Sequence, residues 1–405
     1  MNPQKRDCLP YLIASLLAFS PLPAHAQDTT PPNQTEEPAP SEAVFNASQL
    51  VEDKLAVHVE HNYFDWKDNH GGSGRQTITP VTLTYRYNDF DLGWRRAYIE
   101  SVNTSPDRDG RVSDWSDTSL SFAYTFSRLA WPVRFNVDYN QPNGRATLTG
   151  SEKNAIMDGS LVQQTRFGEG ENITFGLGVT HAFGEKDVFG AGISTVKRGA
   201  FDPNGDVLYD ELNPGDEIIG TLQWQHNEER WMVIGGAIYT NSGTTQRGDL
   251  DYYKKGDRID LNLTGIVALT ETQKLQASAR YSTQSSDQYV NSISGMLEQE
   301  SANSNGDSFY LNLDWSKTWV NTHTLHVLAD YLKIQANSYD QINDLYNAGR
   351  EKVGIGLGYD YAVTSKSMVS LVAKTYEMKD KATPATLEDT RYNGNNIYVN
   401  FSHSF

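Results

Sequence analysis

The stretch that decides the fold is NNIYVNFSHSF, residues 395–405. Ile397, Val399, Phe401 and Phe405 fall on alternate positions, with Asn400, Ser402 and Ser404 between them. A period of two belongs to a β-strand with one apolar face and one polar face. Terminal residues usually fray, so an apolar strand face that runs to Phe405 is expected to sit inside a structure.

The same alternation recurs upstream. In WPVRFNVDY (131–139), Trp131, Val133, Phe135, Val137 and Tyr139 oppose Arg134, Asn136 and Asp138. In DRIDLNLTGIVAL (257–269), Ile259, Leu261, Leu263, Val267 and Leu269 oppose Asp260, Asn262 and Thr264. In SFYLNLDW (308–315), Phe309, Leu311, Leu313 and Trp315 oppose Asn312 and Asp314. Further apolar faces are Val81 to Tyr87, Leu120 to Phe126 and Val353 to Tyr361, each taken at every second residue. Such half-polar strands of roughly ten to thirteen residues are long for globular sheets and suit tilted membrane strands.

The connections set the topology. Short turns fall near 88–89, 127–130, 184–187, 227–229, 270–272, 320–322 and 362–365. Longer polar loops lie near 67–74, 105–113, 142–170, 198–214, 241–256, 286–306, 336–349 and 379–391. Strict alternation of the two kinds predicts an all-β fold, a transmembrane antiparallel up-and-down β-barrel of about sixteen strands with short periplasmic turns and long extracellular loops. Eighteen strands is the alternative, because SLVQQTRF (160–167) reads as a further strand and GEG (168–170) as a turn. Otherwise 142–170 is one long loop, folded into the lumen or standing outside it.

Lys5 and Arg6 precede the apolar run YLIASLLAFS (11–20), and PLPAHA (21–26) then offers small residues at Ala24 and Ala26. That order is a secretory signal peptide over 1–26, and the run is too short to span a bilayer. Cys8, the single cysteine, lies before the apolar run, so disulfides are not expected to hold the fold. Residues 27–53 contain no lysine or arginine and are rich in proline and glutamate. They read as a flexible acidic leader on the periplasmic side, or as a small plug entering from below. The barrel is expected over 54–405.

Composition narrows the class. The mean hydropathy is −0.57, and no later segment approaches the length of apolar sequence a membrane helix needs. The formal charge is −17, which disfavours a nucleic-acid partner.

Two resemblances follow from these residues. The alternating strand that closes on Phe405 resembles the C-terminal assembly signal of bacterial outer-membrane β-barrels, carried here by Ile397, Val399, Phe401 and Phe405, with His403 where an apolar residue is commoner. It implies the outer membrane of a Gram-negative cell, with membrane lipid, lipopolysaccharide and the barrel-assembly machinery as partners. Trp94, Trp131, Trp224, Trp231, Trp315, Trp319 and Tyr361, gathered near strand ends, fit the aromatic girdles of such barrels. Separately, FNVDYNQPNGRATLTG (135–150) is similar to the strand-then-NLPTG pattern of outer-membrane proteins associated with aromatic-compound degradation, relatives of the long-chain fatty-acid transporters. It departs at Gln141 and Asn143, and the N-terminal hatch motif of those transporters is not evident. Membership would imply passage of hydrophobic small molecules.

The polar strand faces nominate a lumen lined by Arg86, Arg134, Asn136, Asp138, Asp260, Asn262, Arg280, Asn312, Asp314, His326, Asp330 and Asp360. Such a lining suits a channel or transporter for a small solute. Polysaccharide export is an alternative, as are a hydrophobic-compound transporter and a structural or adhesive barrel, the protein being a monomer or a homo-oligomer. One stretch breaks the pattern: FDLGWRRAYIES (90–101) directs Arg96 toward lipid, at about 2–4 kcal/mol if it lay at the midplane. A β-bulge at Arg95 and Arg96 turning both inward is the expected remedy.

The acidic loops around Asp107, Asp109 and Asp114, and around Asp202 to Glu217, lack the full calcium-loop pattern, so no metal and no cofactor is expected. For catalysis, His58, His61, His181, His226, His323, His326 and His403 are scattered and no G-x-S-x-G motif occurs. No enzyme is expected, although an outer-membrane enzyme is kept as an alternative.

Overall fold

The computed structural model describes residues 55–105, 108–141, 172–199, 212–213, 215–248, 250–291, 293–319, 322–341, 346–383 and 387–405. The signal peptide, the leader, the 142–170 segment, Asp107 and the acidic run 202–211 lie outside them.

The strands are β1 (Leu55–Asp68), β2 (Ser73–Tyr87), β3 (Phe90–Ser105), β4 (Arg108–Trp115), β5 (Thr118–Phe126), β6 (Val133–Gln141), β7 (Asn172–Phe183), β8 (Asp187–Arg198). Next come β9 (Leu212–Asn213), β10 (Glu217–Asn227), β11 (Trp231–Ser242), β12 (Thr244–Arg247), β13 (Leu250–Lys254), β14 (Arg258–Ala268) and β15 (Gln273–Gln284). The chain continues with β16 (Gln288–Val290), β17 (Leu297–Gln299), β18 (Ser308–Trp319), β19 (His323–Ile334), β20 (Arg350–Thr364), β21 (Ser367–Asp380) and β22 (Thr390–Ser404). Sixteen staves, with β4 and β5 forming one, pair with their sequence neighbours in antiparallel fashion.

Closure is made by the first and last staves. From Ala56↔Ser404 to Asp68↔Tyr392 the β1–β22 ladder is continuous, and the Phe405 amide donates to the Leu55 carbonyl at 2.9 Å. A sheet closed in this way has no edge, which is what lipid demands of a spanning backbone. β6 pairs directly with β7 from Val133↔Val179 to Asn140↔Asn172. No stave from 142–171 can intervene there, so the eighteen-strand alternative is excluded.

The barrel is apolar outside and polar inside. Leu92, Leu177, Leu222, Leu263 and Ile355 are among the exposed side chains, whereas most of the buried ones are polar, including Asn312, Asp330 and Lys352. Trp131, Trp224, Trp231, Trp319 and Tyr361 are exposed as well, on the outward positions of their strands and turns. That distribution is the reverse of a globular core and matches a hydrocarbon surround with a wet or polar interior.

Two expectations are corrected. The bulge near Arg96 is on the neighbouring strand: β3 runs without a slip against β2, with Val81↔Arg96 and Thr82↔Arg95. On its other side Tyr98 pairs with Trp115 and Arg95 with Ser119, so Ser116 and Asp117 hold the extra residue. Arg95 faces inward and Arg96 outward. Arg96 is accommodated by lying over the Trp115 ring, 5.1 Å from its centroid, and by donating to the Ser116 carbonyl at 3.4 Å. This cation–π contact and hydrogen bond replace part of its lost hydration. The loop expected over 67–74 is a tight turn instead, with Gly71 at φ 90°, because β1 and β2 keep pairing up to Lys67↔Ser73.

Beyond the loop end of the barrel stands a second, five-stranded sheet in the order β17-β16-β13-β12-β9. It is built from segments read as longer polar loops, 198–214, 241–256 and 286–306.

The seam yields a prediction. A Cβ at Gly394 would collide with the Asp65 carbonyl on β1 and the Tyr376 ring, while one at Gly265 meets nothing within 4 Å. Gly394→Ala should cost about 1–3 kcal/mol of barrel stability through overpacking, and Gly265→Ala should leave it unchanged. Urea unfolding followed by loss of heat-resistant electrophoretic migration measures both.

Candidate functional site: the barrel lumen

Strand parity fixes which side chains face the lumen, because a ladder without slips keeps every second residue on one side. All twelve nominated residues, Arg86, Arg134, Asn136, Asp138, Asp260, Asn262, Arg280, Asn312, Asp314, His326, Asp330 and Asp360, fall on the inward parity of their strands. Ile397, Val399, Phe401 and Phe405 fall on the outward one, each exposed. His403 joins them there: its ring packs edge-on against Phe405 at 4.5 Å and its Nδ1 lies 2.8 Å from the Ser367 hydroxyl.

The inward charges gather into clusters along the wall. Asp91 receives Arg86 Nε at 2.5 Å and Arg134 Nη1 at 2.7 Å. Asp260 receives Arg258 at 2.8 Å and Arg280 at 2.9 Å. The His326 ring bridges two carboxylates, with Nδ1 3.0 Å from Asp314 and Nε2 3.1 Å from Asp360. Lys374 reaches Asp330 at 3.3 Å, Arg198 reaches Glu217 at 3.1 Å, and Arg350 pairs with Asp380. Asn136 donates to Asp138 at 2.8 Å. Charges held away from bulk water must be paired, or their desolvation goes uncompensated. Each of these pairs joins residues on one strand or on staves no more than two apart, so the clusters lie against the wall.

Asp91, Arg198, Glu217, Arg258, Arg350, Lys374 and Asp380 were not nominated by the sequence pattern. All but Lys374 stand within two residues of a strand end, and the parity that reveals them is legible only once the register is known. A second unnominated set is aromatic: Phe64, Trp66, Tyr376, Tyr392 and Tyr398 share the inward parity of β1, β21 and β22.

At the loop end the second sheet is tied down by two carboxylates. Asp287, almost wholly buried, accepts from Tyr253 Oη at 2.5 Å, the Gly256 amide at 2.8 Å, Gln284 at 3.2 Å and Asn305 at 3.1 Å. Glu300 accepts from the Asp287 amide at 2.9 Å, from the Ser304 amide at 2.9 Å and from Tyr339 Oη at 3.3 Å. Among the described residues no group of histidine, cysteine and carboxylate side chains is arranged to hold a metal ion.

Fold and lumen together define a transmembrane β-barrel of the outer-membrane type. No family model matches the sequence, and no curated protein does. The chain is similar to several solved structures at low identity. A Pseudomonas aeruginosa FadL homologue is 10% identical, with 89% of this chain and 92% of that one aligned at a TM-score of 0.45. The Pseudomonas putida toluene transporter TodX is 10% identical over 89% of this chain and 94% of its own, at 0.41. OmpT of Vibrio cholerae is 9% identical over 87% and 97%, at 0.40.

The mouth of the lumen has a pH dependence. Burial, followed by the charges of Asp287 and Glu300, pushes Tyr289 up to about 12. Burial and the hydrogen bond to Asp287 push Tyr253 well above the tyrosine range. An unfolded tyrosine ionises near pH 10, so the loop sheet keeps its full stability below that pH and loses it as pH rises further. Protease cleavage within 244–299 should be flat from pH 7 to about 10 and rise above it, with the barrel still migrating as folded.

Proposed function

We propose that this chain is an outer-membrane channel that passes small polar or amphipathic solutes through its lumen. The observation that carries the reading is the arrangement of the inward charges, paired along the wall between near-neighbour strands. A barrel that served only as a filled support would be tied across its interior. A wall lined by fixed, mutually satisfied ion pairs instead leaves room for water and presents both signs of charge to a passing solute. The signal-like segment at 1–26, the apolar outer face and the strand ending at Phe405 support an outer-membrane location.

A route for hydrophobic compounds is the second reading. Met232 and Ile234 on β11 and Ile266 on β14 share the inward parity near the short-turn end, Met232 directly opposite Ile266.

Planar-bilayer recording on the refolded chain tests the first reading. Stepwise openings with weak ion selectivity are expected, because the wall carboxylates Asp91, Asp260, Asp314, Asp330, Asp360 and Asp380 are matched by Arg86, Arg134, Arg258, Arg280, Lys374, Arg350 and His326. The double variant Asp314→Asn with Asp360→Asn removes two negative charges beside His326 and should move the reversal potential toward anion preference. A folded, heat-resistant barrel that never conducts, with or without residues 27–53, would sink the proposal.

A further inference from the structure

The outer face of the barrel is hollowed across β7, β8, β10 and β11. An apolar trough of about 650 Å³ opens there toward the surround. Its floor is made of small residues, Ala191, Gly235 and Ala237, and Leu222 stands opposite both alanines in the ladder. At the short-turn end the walls are aromatic. Phe183 meets Phe189 edge-on at 5.2 Å, and Trp131 stacks on His181 at 4.5 Å. Trp224 lies directly across from Phe189. A second hollow of about 330 Å³ shares Ala191, Leu222 and Ala237 and carries the trough toward the loop end, past Gly220 to Tyr239. The chain's own atoms do not close it. A Cβ at Gly235 would meet only the Trp224 ring, at 3.7 Å, and one at Gly220 nothing within 4 Å.

No water is displaced from a face that lies in hydrocarbon, so the usual apolar driving force is missing there. What remains is van der Waals attraction, which grows with the number of atoms touched. A slender, flexible chain in the trough touches the floor and both walls, where on the convex remainder of the barrel it touches one side. A second barrel fits less well, because a twofold axis sets hollow against hollow and leaves both unfilled.

The short-turn rim adds charge. The turns from β5 to β6, from β7 to β8 and from β10 to β11 border the aromatic end of the trough and carry Arg128, Glu185, Glu229 and Arg230, all exposed. Lys186 pairs with Glu228 at 2.6 Å and His226 with Asp187 at 2.9 Å. Arg128, Arg230, Glu185 and Glu229 have no side-chain ion pair or hydrogen bond among the described residues. Free charges of both signs therefore stand at the level where the headgroups of that leaflet lie.

We infer that the trough is a phospholipid site, in which it holds one acyl chain and its rim selects a headgroup carrying both a phosphate and a primary ammonium. The guanidinium groups of Arg128 and Arg230 suit the phosphate, and the carboxylates of Glu185 and Glu229 suit the ammonium. A headgroup with phosphate alone would bring its charge beside those carboxylates without an ammonium to offset them. Trp131 and Trp224 stand where a chain gives way to its headgroup, the level that indole rings favour. The inference depends on the outward face lying in lipid and not on passage through the lumen.

Native mass spectrometry tests it on the full chain, refolded in detergent and supplied with dioleoylphosphatidylethanolamine or dioleoylphosphatidylglycerol. One phosphatidylethanolamine per barrel is expected to survive the collisional activation that strips loosely held lipid, bound about threefold more strongly than phosphatidylglycerol, the scale of exposed ion pairs. Ala191→Phe and Ala237→Leu each fill the trough and should abolish retention. Ala373→Leu, at an exposed position on β21, should not. Glu185→Gln combined with Glu229→Gln should leave one lipid bound and remove the preference between the two headgroups. Heat-resistant migration verifies folding of every variant. Absence of retained lipid, equal retention of the two lipids by the unaltered chain, or retention that survives both trough fillings overturns the inference. A dimer of barrels that those fillings dissociate overturns it as well, in favour of a second copy on this face. Planar-bilayer recording reads conduction independently, so this inference and the proposed passage fail separately.

Discussion

Every feature of this molecule depends on the closure of β1 against β22. In hydrocarbon an unpaired backbone amide or carbonyl has no water to turn to, and each costs several kcal/mol. An open sheet of sixteen staves would leave two such edges. The ladder from Ala56↔Ser404 to Asp68↔Tyr392 removes both, and the Phe405 amide adds one more bond beyond the strand. Aromatic side chains lie inward at the seam and beside it, against Gly394 on β22 and Gly74 on β2. Closure and lumen chemistry are therefore made by the same residues: side chains at these glycines would crowd the seam and displace the rings together.

Once the barrel is closed, parity assigns each residue to lipid or lumen, and the energetics of the two sides diverge. Outward positions are filled by side chains such as Leu222, Leu263 and Ile355 that gain by leaving water. Inward positions carry charge, and the wall makes this tolerable through local pairing. Asp260 sits between two arginines and His326 between two aspartates. Arg96 is the exception that shows the rule's strength. It stays outward, because turning it in would reverse the parity of β3 against β2. The added residue falls instead at Ser116 and Asp117, whose carbonyl and neighbouring indole shelter the guanidinium.

The staves were legible in the sequence because period-two alternation is local. Leu261 and Leu263 opposite Asp260 and Asn262 settle the orientation of β14 without knowledge of any neighbour. The strand count follows from the same signal together with turn length. Partnerships are not local. Nothing in the stretch around Asp330 names Lys374, which lies two staves away, and nothing near Trp66 announces Gly74 as the floor beneath its ring. The loop sheet was illegible for a related reason. Its strands are two to five residues long, too short for a period to register, and they are held by the buried carboxylate of Asp287 more than by any apolar face.

The distribution of charge bears on the proposed passage of solutes. The chain carries a formal −17, yet the wall clusters set carboxylates against arginine, lysine and histidine in near balance. The acidic excess must therefore reside largely outside the lumen wall, and Glu185, Glu228, Glu229 and Glu271 show it at the short turns. Exposed charges act over about 8–10 Å at physiological ionic strength, so they influence what gathers at the mouths and little of what happens midway. Inside, a solute taking the proposed route would meet alternating fixed charges whose fields largely cancel beyond the nearest pair. Discrimination in such a lumen comes from shape and from short-range contacts. Rings, amides and paired charges on the wall can supply those contacts, whereas a uniform field of one sign could sort solutes only by charge.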